Sequence, residues 1–164
     1  MSKAVLYRRF GGPEALELQE IPEPHAAPDE VRVRDTAAGL NPMDWQITTQ
    51  PDMAARFGIT LPAGFGSDFA GVVDEVGAEA TGFAAGDRVY GAAIGRSVAD
   101  YVLVKTPTAT LWPTPEGIGD EVAGVLPVSG LTAAAALAAL GLRTGDTVLI
   151  GGAAGGVGVF AVQL

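Results

Sequence analysis

The sequence of 164 residues contains no cysteine and a single histidine, His25. Without cysteine the chain cannot form a disulfide bond or a thiolate metal site, and it fits a reducing compartment such as the cytoplasm. A catalytic zinc ion needs three protein ligands, usually cysteine, histidine or carboxylate side chains. His25 lies among prolines in a connector, where we interpret it as a solvated loop residue. We therefore expect no metal site.

Basic residues are also scarce, because 10 lysines and arginines stand against 19 aspartates and glutamates, giving a net charge of −9. This balance argues against nucleic acid or an anionic membrane surface as a partner. Two uncharged stretches, residues 122–142 and 147–164, approach membrane-spanning length, but Pro127 and several glycines interrupt them. The first residues lack the long apolar core of a signal peptide. We expect a cytoplasmic protein without membrane spans.

What the chain has in abundance is glycine, and it concentrates in a turn at residues 151–158. Residues 147–150, just before it, have the uncharged, β-forming composition of a strand buried on both faces. From about Gly156 an apolar helical pattern follows. A strand, a glycine turn and a helix open a dinucleotide-binding βαβ unit, where N–H groups at the helix N-terminus contact the pyrophosphate. A plain glycine-rich surface loop is the alternative.

The first two-thirds of the sequence is typical of short strands joined by glycine and proline turns. The predicted strands are residues 3–7 (an edge strand), 16–21, 31–34, 69–76, 87–90 and 97–104. Residues 31–34 alternate apolar and charged side chains, so one face of that strand is expected to be buried and the other solvated. Many short strands at this spacing indicate a compact β-barrel.

Helical signals are few before residue 118. Asn41 and Pro42 predict a short helix, with asparagine as the N-cap and proline at the first helical position. Later, residues 131–140 predict an alanine-rich helix that Gly141 ends. We therefore expect a mixed α/β chain with a β-barrel domain at residues 1–112. Residues 113–164 would hold connector helices and the first βα unit of a cofactor domain, whose strand has no second strand beside it.

These motifs resemble, in order along the chain, those of the medium-chain dehydrogenases/reductases, most closely the zinc-independent quinone oxidoreductase branch. The segments that carry the resemblance are residues 37–44 (Ala-Ala-Gly-Leu-Asn-Pro-Met-Asp), 66–73 (Gly-Ser-Asp-Phe-Ala-Gly-Val-Val), 86–91 (Gly-Asp-Arg-Val-Tyr-Gly) and 152–158 (Gly-Ala-Ala-Gly-Gly-Val-Gly). The resemblance implies a GroES-like barrel followed by the start of a Rossmann domain, truncated early in this chain. Zinc-dependent relatives place Gly-His-Glu where this chain has Gly66-Ser67-Asp68, and cysteine where it has Asn41-Pro42, which agrees with a metal-free site.

Candidate site residues follow partly from the residues and partly from the resemblance. Asn41 can donate an amide hydrogen bond, and Asp44 lies one helical turn away on the same face, so both are candidate catalytic residues. The alternative is that both serve only the helix N-terminus. By resemblance, Asn41 would face the nicotinamide and Thr132 would contact the cofactor, although Thr132 also suits a hydrogen bond to its own turn. The resemblance adds the glycine turn to the cofactor-binding residues: Gly152, Ala153, Ala154, Gly155, Gly156, Val157 and Gly158.

The function implied by the resemblance is an NADPH-dependent oxidoreductase that transfers hydride to a quinone, an enone or an aldehyde without zinc. NADPH is preferred to NADH only because the form of the glycine turn resembles that of NADPH-using members. The residue that selects between them would lie about 20 residues past the turn. The alternative function is a non-catalytic GroES-like binding module with a vestigial cofactor-domain start. A homodimer is also compatible with the resemblance.

Overall fold

A computed structural model describes residues 1–108 and 110–164. The strands are β1 (Ser2–Tyr7), β2 (Leu16–Ile21), β3 (Glu30–Gly39), β4 (Ala63–Gly64), β5 (Asp68–Val76), β6 (Arg88–Ala92), β7 (Tyr101–Lys105) and β8 (Leu111–Pro113). The α-helices are α1 (Pro42–Thr49), α2 (Pro51–Arg56), α3 (Asp120–Ala123), α4 (Pro127–Leu140) and α5 (Gly156–Gln163), and a short 3-10 helix spans Pro13–Ala15. The strands precede α3, and the helices α3 to α5 follow them, so the mixed α/β prediction is confirmed.

The strands form two antiparallel sheets. Three strands pair in the order β2-β1-β4, and five pair in the order β7-β3-β5-β6-β8. The segment just before β7 runs beside β1: the backbone N–H of Val5 donates to the carbonyl of Val98 at 2.9 Å, and that of Asp100 to the carbonyl of Lys3 at 2.8 Å. Because β1 lies between β2 and β4, the prediction of an edge strand at residues 3–7 is wrong. Local composition shows that a segment is extended, but not which strands will pair with it.

The hydrophobic core is built from side chains of the five-stranded sheet and its connections, and most of them are valines. Branched side chains pack well on a pleated surface, and alternate positions of each strand face inward. The buried cluster consists of Val31, Val33, Phe69, Val73, Val89, Ala93, Val102, Val104 and Leu111. This cluster fixes β5 in the middle of the sheet, and the N-terminal end of β5 carries the residues described below.

One charged residue of β3 departs from the predicted alternation. Arg34 is exposed as expected, whereas Arg32 is only 8% exposed. The Arg32 guanidinium donates to Asp74 at 2.9 Å and lies 4.5 Å from the centre of the Tyr101 ring. A buried charge needs such partners, and the long arginine side chain reaches them from a face predicted to be solvated.

The helices begin and end at residues with a local reason. In α4, Pro127 takes the first helical position, four residues before the predicted start, and Gly141 ends the helix with φ +61°. Proline suits the first turn and glycine the left-handed end of a helix. No helix among the described residues is both long enough and apolar enough to cross a membrane.

Residues 147–150 do not form the predicted buried strand. The described residues contain no ladder partner for this segment, and Leu149 is 96% exposed. A parallel strand is assembled from neighbours on its edges and helices on its faces. Composition predicted a buried strand, but within the part of the chain that the structure describes it is the helices α4 and α5 that lie beside the segment. The neighbouring helices expose further large apolar side chains, among them Leu140, Val162 and Leu164.

A polar cluster attaches α3 to the barrel. Thr36 Oγ1 donates to Asp120 Oδ2 at 2.7 Å, and Arg88 Nη2 also donates to the Asp120 carboxylate. These two hydrogen bonds lower the pKa of Asp120. Beside them, burial raises the pKa of Asp35 to about 7, although Ala37 N–H donates to its carboxylate. Asp35 is half-buried, and its burial disfavours the ionised form of the side chain.

We expect the backbone amides of residues 148–150 to exchange hydrogen far faster than those of residues 72–76. The first segment has no ladder partner among the described residues, whereas residues 72–76 pair with β3 and Val72 pairs also with β6. Amides without stable hydrogen bonds exchange through openings that cost little free energy. Hydrogen exchange followed by mass spectrometry or NMR measures both segments at once. Equal protection in a protein shown to be monomeric would contradict this expectation.

A second prediction concerns the pH dependence of stability through Asp35. Because folding raises its pKa from 3.8 to about 7, the folded state binds the proton more tightly. Its contribution therefore lowers the free energy of unfolding as pH rises through that interval. Asp35→Asn should stabilise the protein by at least about 1 kcal/mol at about pH 8, since one pKa unit is worth about 1.4 kcal/mol.

Urea unfolding of both proteins at about pH 4 and about pH 8 provides the measurement. Near pH 4 folded Asp35 is uncharged and unfolded Asp35 is only about half ionised, so the difference should shrink to well under about 1 kcal/mol. Asp52→Asn, at an exposed position of α2, is the matched control and should change the unfolding free energy by less than about 0.5 kcal/mol. A stabilisation of Asp35→Asn that is the same at both pH values would rule out the titration of Asp35 as its cause.

Candidate functional site

The first part of the site is the N-terminus of α1, where Asn41 is the N-cap and Pro42 begins the helix. The Asp44 carboxylate, one turn into the helix, accepts the backbone N–H of Asn41 at 2.7 Å in a capping-box arrangement. Both residues are buried, with Asn41 7% and Asp44 2% exposed. The predicted helix start is therefore confirmed, and the two candidate residues lie together.

The second part is the turn that leads into β5. Gly66 has φ +82°, and a Cβ at this position would lie 2.5 Å from Ser97 Oγ, so glycine is required. The turn places Ser67 beside α1, where its hydroxyl donates to Asp44 Oδ1 at 2.5 Å. The next residue, Asp68, accepts the side-chain amide of Asn41 at 2.9 Å. Two carboxylates, one amide and one hydroxyl thus form a buried hydrogen-bonded cluster.

Burial dominates the electrostatics of this cluster. It raises the pKa of Asp68 to about 6, and the nearby charge of Asp44 adds to this effect, although hydrogen bonds from Asn41 and Val128 oppose it. Burial also raises the pKa of Asp44, and here the hydrogen bonds from Ser67 and Asn41 oppose it. The two acids can lie close together because each has its own hydrogen-bond donors. The charge on each carboxylate depends on those donors.

The N-terminus of α4 closes the cluster from the other side. Val128 N–H donates to Asp68 Oδ1 at 3.1 Å, and Ser129 Oγ lies 3.5 Å from Asn41 Oδ1. Neither Asp68 nor Ser129 is predicted as a site residue from the sequence. Pro127 was the available signal, because a helix starting there places residues 128 and 129 in its first turn.

The glycine turn lies next to Ser129. A Cβ at Gly156, the first residue of α5, would be 3.3 Å from Ser129 Oγ. Gly152 has φ +72°, and a Cβ at Gly158 would collide with the carbonyl of Gly152, so the turn is too tight for side chains at these points. The first N–H groups of α5 have no partner within the helix. They form a backbone surface that suits a phosphate.

Thr132 adopts the simpler of its two predicted roles in this structure. Its hydroxyl donates to the Val128 carbonyl of its own helix at 2.6 Å, and its side chain is exposed. This bond leaves the residue on the solvent side of α4. Its predicted contact with a cofactor stays a prediction.

The tyrosine and tryptophan side chains near the site differ in how fully they pack against other residues. Arg32 Cζ lies 4.5 Å from the centre of the Tyr101 ring, and the ring centres of Tyr90 and Trp112 are 5.5 Å apart. Tyr90 and Trp112 also line an apolar cavity of about 310 Å³ with Phe160 of α5. Trp45, next to Asp44, packs at 4.9 Å on Phe65 and is 38% exposed.

The side chains at this site do not form the set of ligands that a zinc ion needs. Among residues 1–108 and 110–164 there is no group of three or more His, Cys, Asp or Glu side chains that could hold a metal ion. The single histidine, His25, lies 3.2 Å from Glu75 at the surface. Instead, the Asn41 amide donates to the Asp68 carboxylate, and the Ser67 hydroxyl donates to the Asp44 carboxylate.

Comparison with known proteins places this arrangement in context. The alcohol dehydrogenase GroES-like domain family matches residues 27–160. A quinone oxidoreductase from Pseudomonas aeruginosa is 39% identical over 166 residues, which cover 99% of this chain and 49% of the relative.

Two solved structures share the fold over 99% of this chain. The quinone oxidoreductase from Coxiella burnetii superposes with a TM-score of 0.89 at 34% identity, and 52% of that chain is covered. A mycobacterial protein solved in complex with NADPH has a TM-score of 0.84 at 29% identity, with 49% of its chain covered. The chain thus spans about half the length of these relatives.

Proposed function

We propose a function from one premise: this chain belongs to the medium-chain dehydrogenase/reductase family, corresponding to the N-terminal half of its members. It is an oxidoreductase sequence by this relationship. We propose that it supplies the substrate-binding barrel and the first phosphate-binding turn of an NADPH-dependent enzyme. That enzyme reduces a quinone, an enone or an aldehyde by hydride transfer and uses no zinc.

One observation carries the proposal: the Asn41 amide and the glycine turn are linked through a single residue. Ser129 Oγ lies 3.5 Å from Asn41 Oδ1, and a Cβ at Gly156 would lie 3.3 Å from the same hydroxyl. Hydride transfer requires a substrate oxygen and a dinucleotide to be held side by side. An amide donor that adjoins a phosphate-binding turn supports such a pairing.

The residues around the glycine turn fit a dinucleotide. Gly152 and Gly158 keep the turn tight, and the N-terminus of α5 offers N–H groups and the positive end of the helix dipole to a pyrophosphate. A reduced nicotinamide, when bound, supplies the hydride. NADPH is our preferred form, supported by the turn sequence and by the NADPH complex of the mycobacterial relative.

Asn41 is the proposed contact to the substrate oxygen. One hydrogen of its NH2 group is used by Asp68, and we propose that the second hydrogen polarises the substrate carbonyl. A neutral amide donor would take the role that a metal ion has in metal-dependent carbonyl chemistry. Asp44 has both carboxylate oxygens occupied, by Asn41 N–H and Ser67 Oγ. We therefore propose that Asp44 acts by orienting Asn41.

The alternative, a binding module without turnover, has no contact in the described residues that favours it. The acidic composition supports small neutral molecules over nucleic acid as ligands. The absence of cysteine fits a cytoplasmic enzyme, and a homodimer remains our expectation from the family.

We predict that the protein binds no catalytic zinc, because its buried oxygen ligands are engaged with one another and it has no cysteine. Elemental analysis of protein purified without a metal-binding tag should give well under one equivalent. Stoichiometric zinc that survives dialysis would overturn this prediction.

We further predict that Asn41→Ala lowers kcat in a preparation active in hydride transfer, by about tenfold or more, since one lost oxyanion donor costs a hundredfold or more in well-studied enzymes. A lost N-cap alone costs about 1 kcal/mol of stability and leaves turnover per folded molecule unchanged. Quinone-dependent NADPH oxidation, normalised to the folded fraction, gives the turnover.

The matched control is Asn41→Ser, which keeps a good N-cap residue but removes the amide. Its melting temperature should stay closer to that of the wild type, while its kcat should fall with that of Asn41→Ala. Full turnover in Asn41→Ser would return Asn41 to a purely structural role.

A further inference from the structure

The N-terminus of α4 has no capping side chain within its own helix. Leu126 occupies the N-cap position, and Pro127 has no N–H to donate. The first donor of the helix, Val128 N–H, is bound by Asp68 Oδ1 at 3.1 Å, 60 positions away in the sequence. A residue of the barrel therefore caps a helix that follows the barrel.

The second carboxylate oxygen of Asp68 has a different partner. Asp68 Oδ2 accepts from Asn41 Nδ2 at 2.9 Å, and Asp68 as a whole is 1% exposed. The two oxygens thus receive donors from two different elements. Two donors require two acceptor atoms, and an ionised carboxylate provides them because both of its oxygens accept hydrogen bonds.

Backbone packing sets the position of both donors. Gly39, opposite Asp68 in the β3–β5 ladder, has no room for a Cβ, which would collide with the carbonyl of Gly124 after α3. A Cβ at Gly124 would in turn lie 2.9 Å from the carbonyl of Ala37. The chain reaches Asn41 two residues after Gly39, and Val128 four residues after Gly124. Both donors therefore approach Asp68 from one tightly packed contact.

The charges agree with this arrangement. The positive end of the α4 dipole stabilises a negative charge on Asp68, whereas burial and the nearby Asp44 oppose it. With its pKa raised to about 6, Asp68 is mostly ionised at neutral pH. Its charge has no solvent to stabilise it, so the two hydrogen bonds are strongly favoured.

We propose that Asp68 is a second positioning residue of this site besides Asp44, because its two carboxylate oxygens hold the Asn41 amide and the N-terminus of α4 in one fixed arrangement. Through α4 it also places Ser129 between Asn41 and the glycine turn. The catalytic consequence rests on the function proposed above, in which Asn41 contacts the substrate. The positioning itself concerns contacts of this chain and is measurable without turnover.

The substitution that tests this is Asp68→Asn. Asparagine has nearly the shape of aspartate but offers one acceptor oxygen, and its NH2 group would face one of the two donors. Asp44→Asn is the matched control, since it changes the neighbouring buried acid, which contacts Asn41 and Ser67 but not α4. Hydrogen exchange at Val128 and the NMR signal of the Asn41 side-chain NH2 are the readouts. The Val73 amide, in the centre of β5, reports whether the barrel is intact.

In Asp68→Asn, Val128 N–H should exchange roughly tenfold to a hundredfold faster, as expected for the loss of a hydrogen bond to a charged acceptor, and the Asn41 signal should shift. In Asp44→Asn, Val128 should keep its protection. Unchanged Val128 protection and an unshifted Asn41 signal in Asp68→Asn, with Val73 protected, would overturn the proposal. In an active preparation, Asp68→Asn should lower kcat while KM for NADPH stays within about twofold.

A measurement on the unsubstituted protein covers the case in which Asp68→Asn does not fold. The signals of Val128 N–H and of the Asn41 side chain should follow one common pH midpoint, because both donors bind the same carboxylate. An Asn41 side-chain signal that shares no midpoint with Val128 N–H would contradict the proposal, whereas an additional midpoint at Asn41 would report Asp44, which accepts the Asn41 backbone N–H.

The two proposals fail in different ways. If the exchange and NMR results agree with expectation but no preparation reduces a quinone or an enone, the positioning role stands and the proposed function is wrong. If hydride transfer occurs while Asp68→Asn leaves Val128, Asn41 and kcat unchanged, the proposed function stands and the positioning role is wrong.

Discussion

The arrangement of the site depends on two carboxylates that are buried close to each other. Asp44 and Asp68 are almost inaccessible to water, so each must obtain hydrogen bonds from the protein or lose its charge. Asp44 obtains them from the N-cap of α1 and from Ser67, and Asp68 from the Asn41 amide and from α4. The need to solvate two charges thus brings three separate stretches of sequence together.

The part of the site that sequence could predict is the part that is local. Asn41, Pro42 and Asp44 lie within one helical turn, so residue type and spacing were sufficient to predict the helix start and the meeting of the two polar side chains. The end of α4 at Gly141 followed from the same kind of information. The resemblance to a family added the overall fold, because its motifs cover most of the chain in order.

The remainder depends on contacts between distant positions. Val128 and Asp68 meet only after the strands have paired, and no local pattern marks Asp68 as the cap of a later helix. The alternating pattern of β3 predicted that Arg32 would be solvated. In the structure Arg32 is buried, and it pairs with Asp74, which only folding brings close. Residues 147–150 have the composition of a buried strand, but a strand exists only where another chain segment pairs with it.

The close approach of Gly39 and Gly124 has a mechanical consequence. With no side chain between the two backbones, the end of β3 and the end of α3 are as near as atoms allow, and neither can move inward. We therefore expect any tilt of the helices against the barrel to pivot at this contact. Because α4 extends about 21 Å from its start at 1.5 Å per residue, a small tilt displaces Gly141 much further than Ser129. Flexibility at the far end of α4 is thus compatible with a nearly stationary site at its beginning.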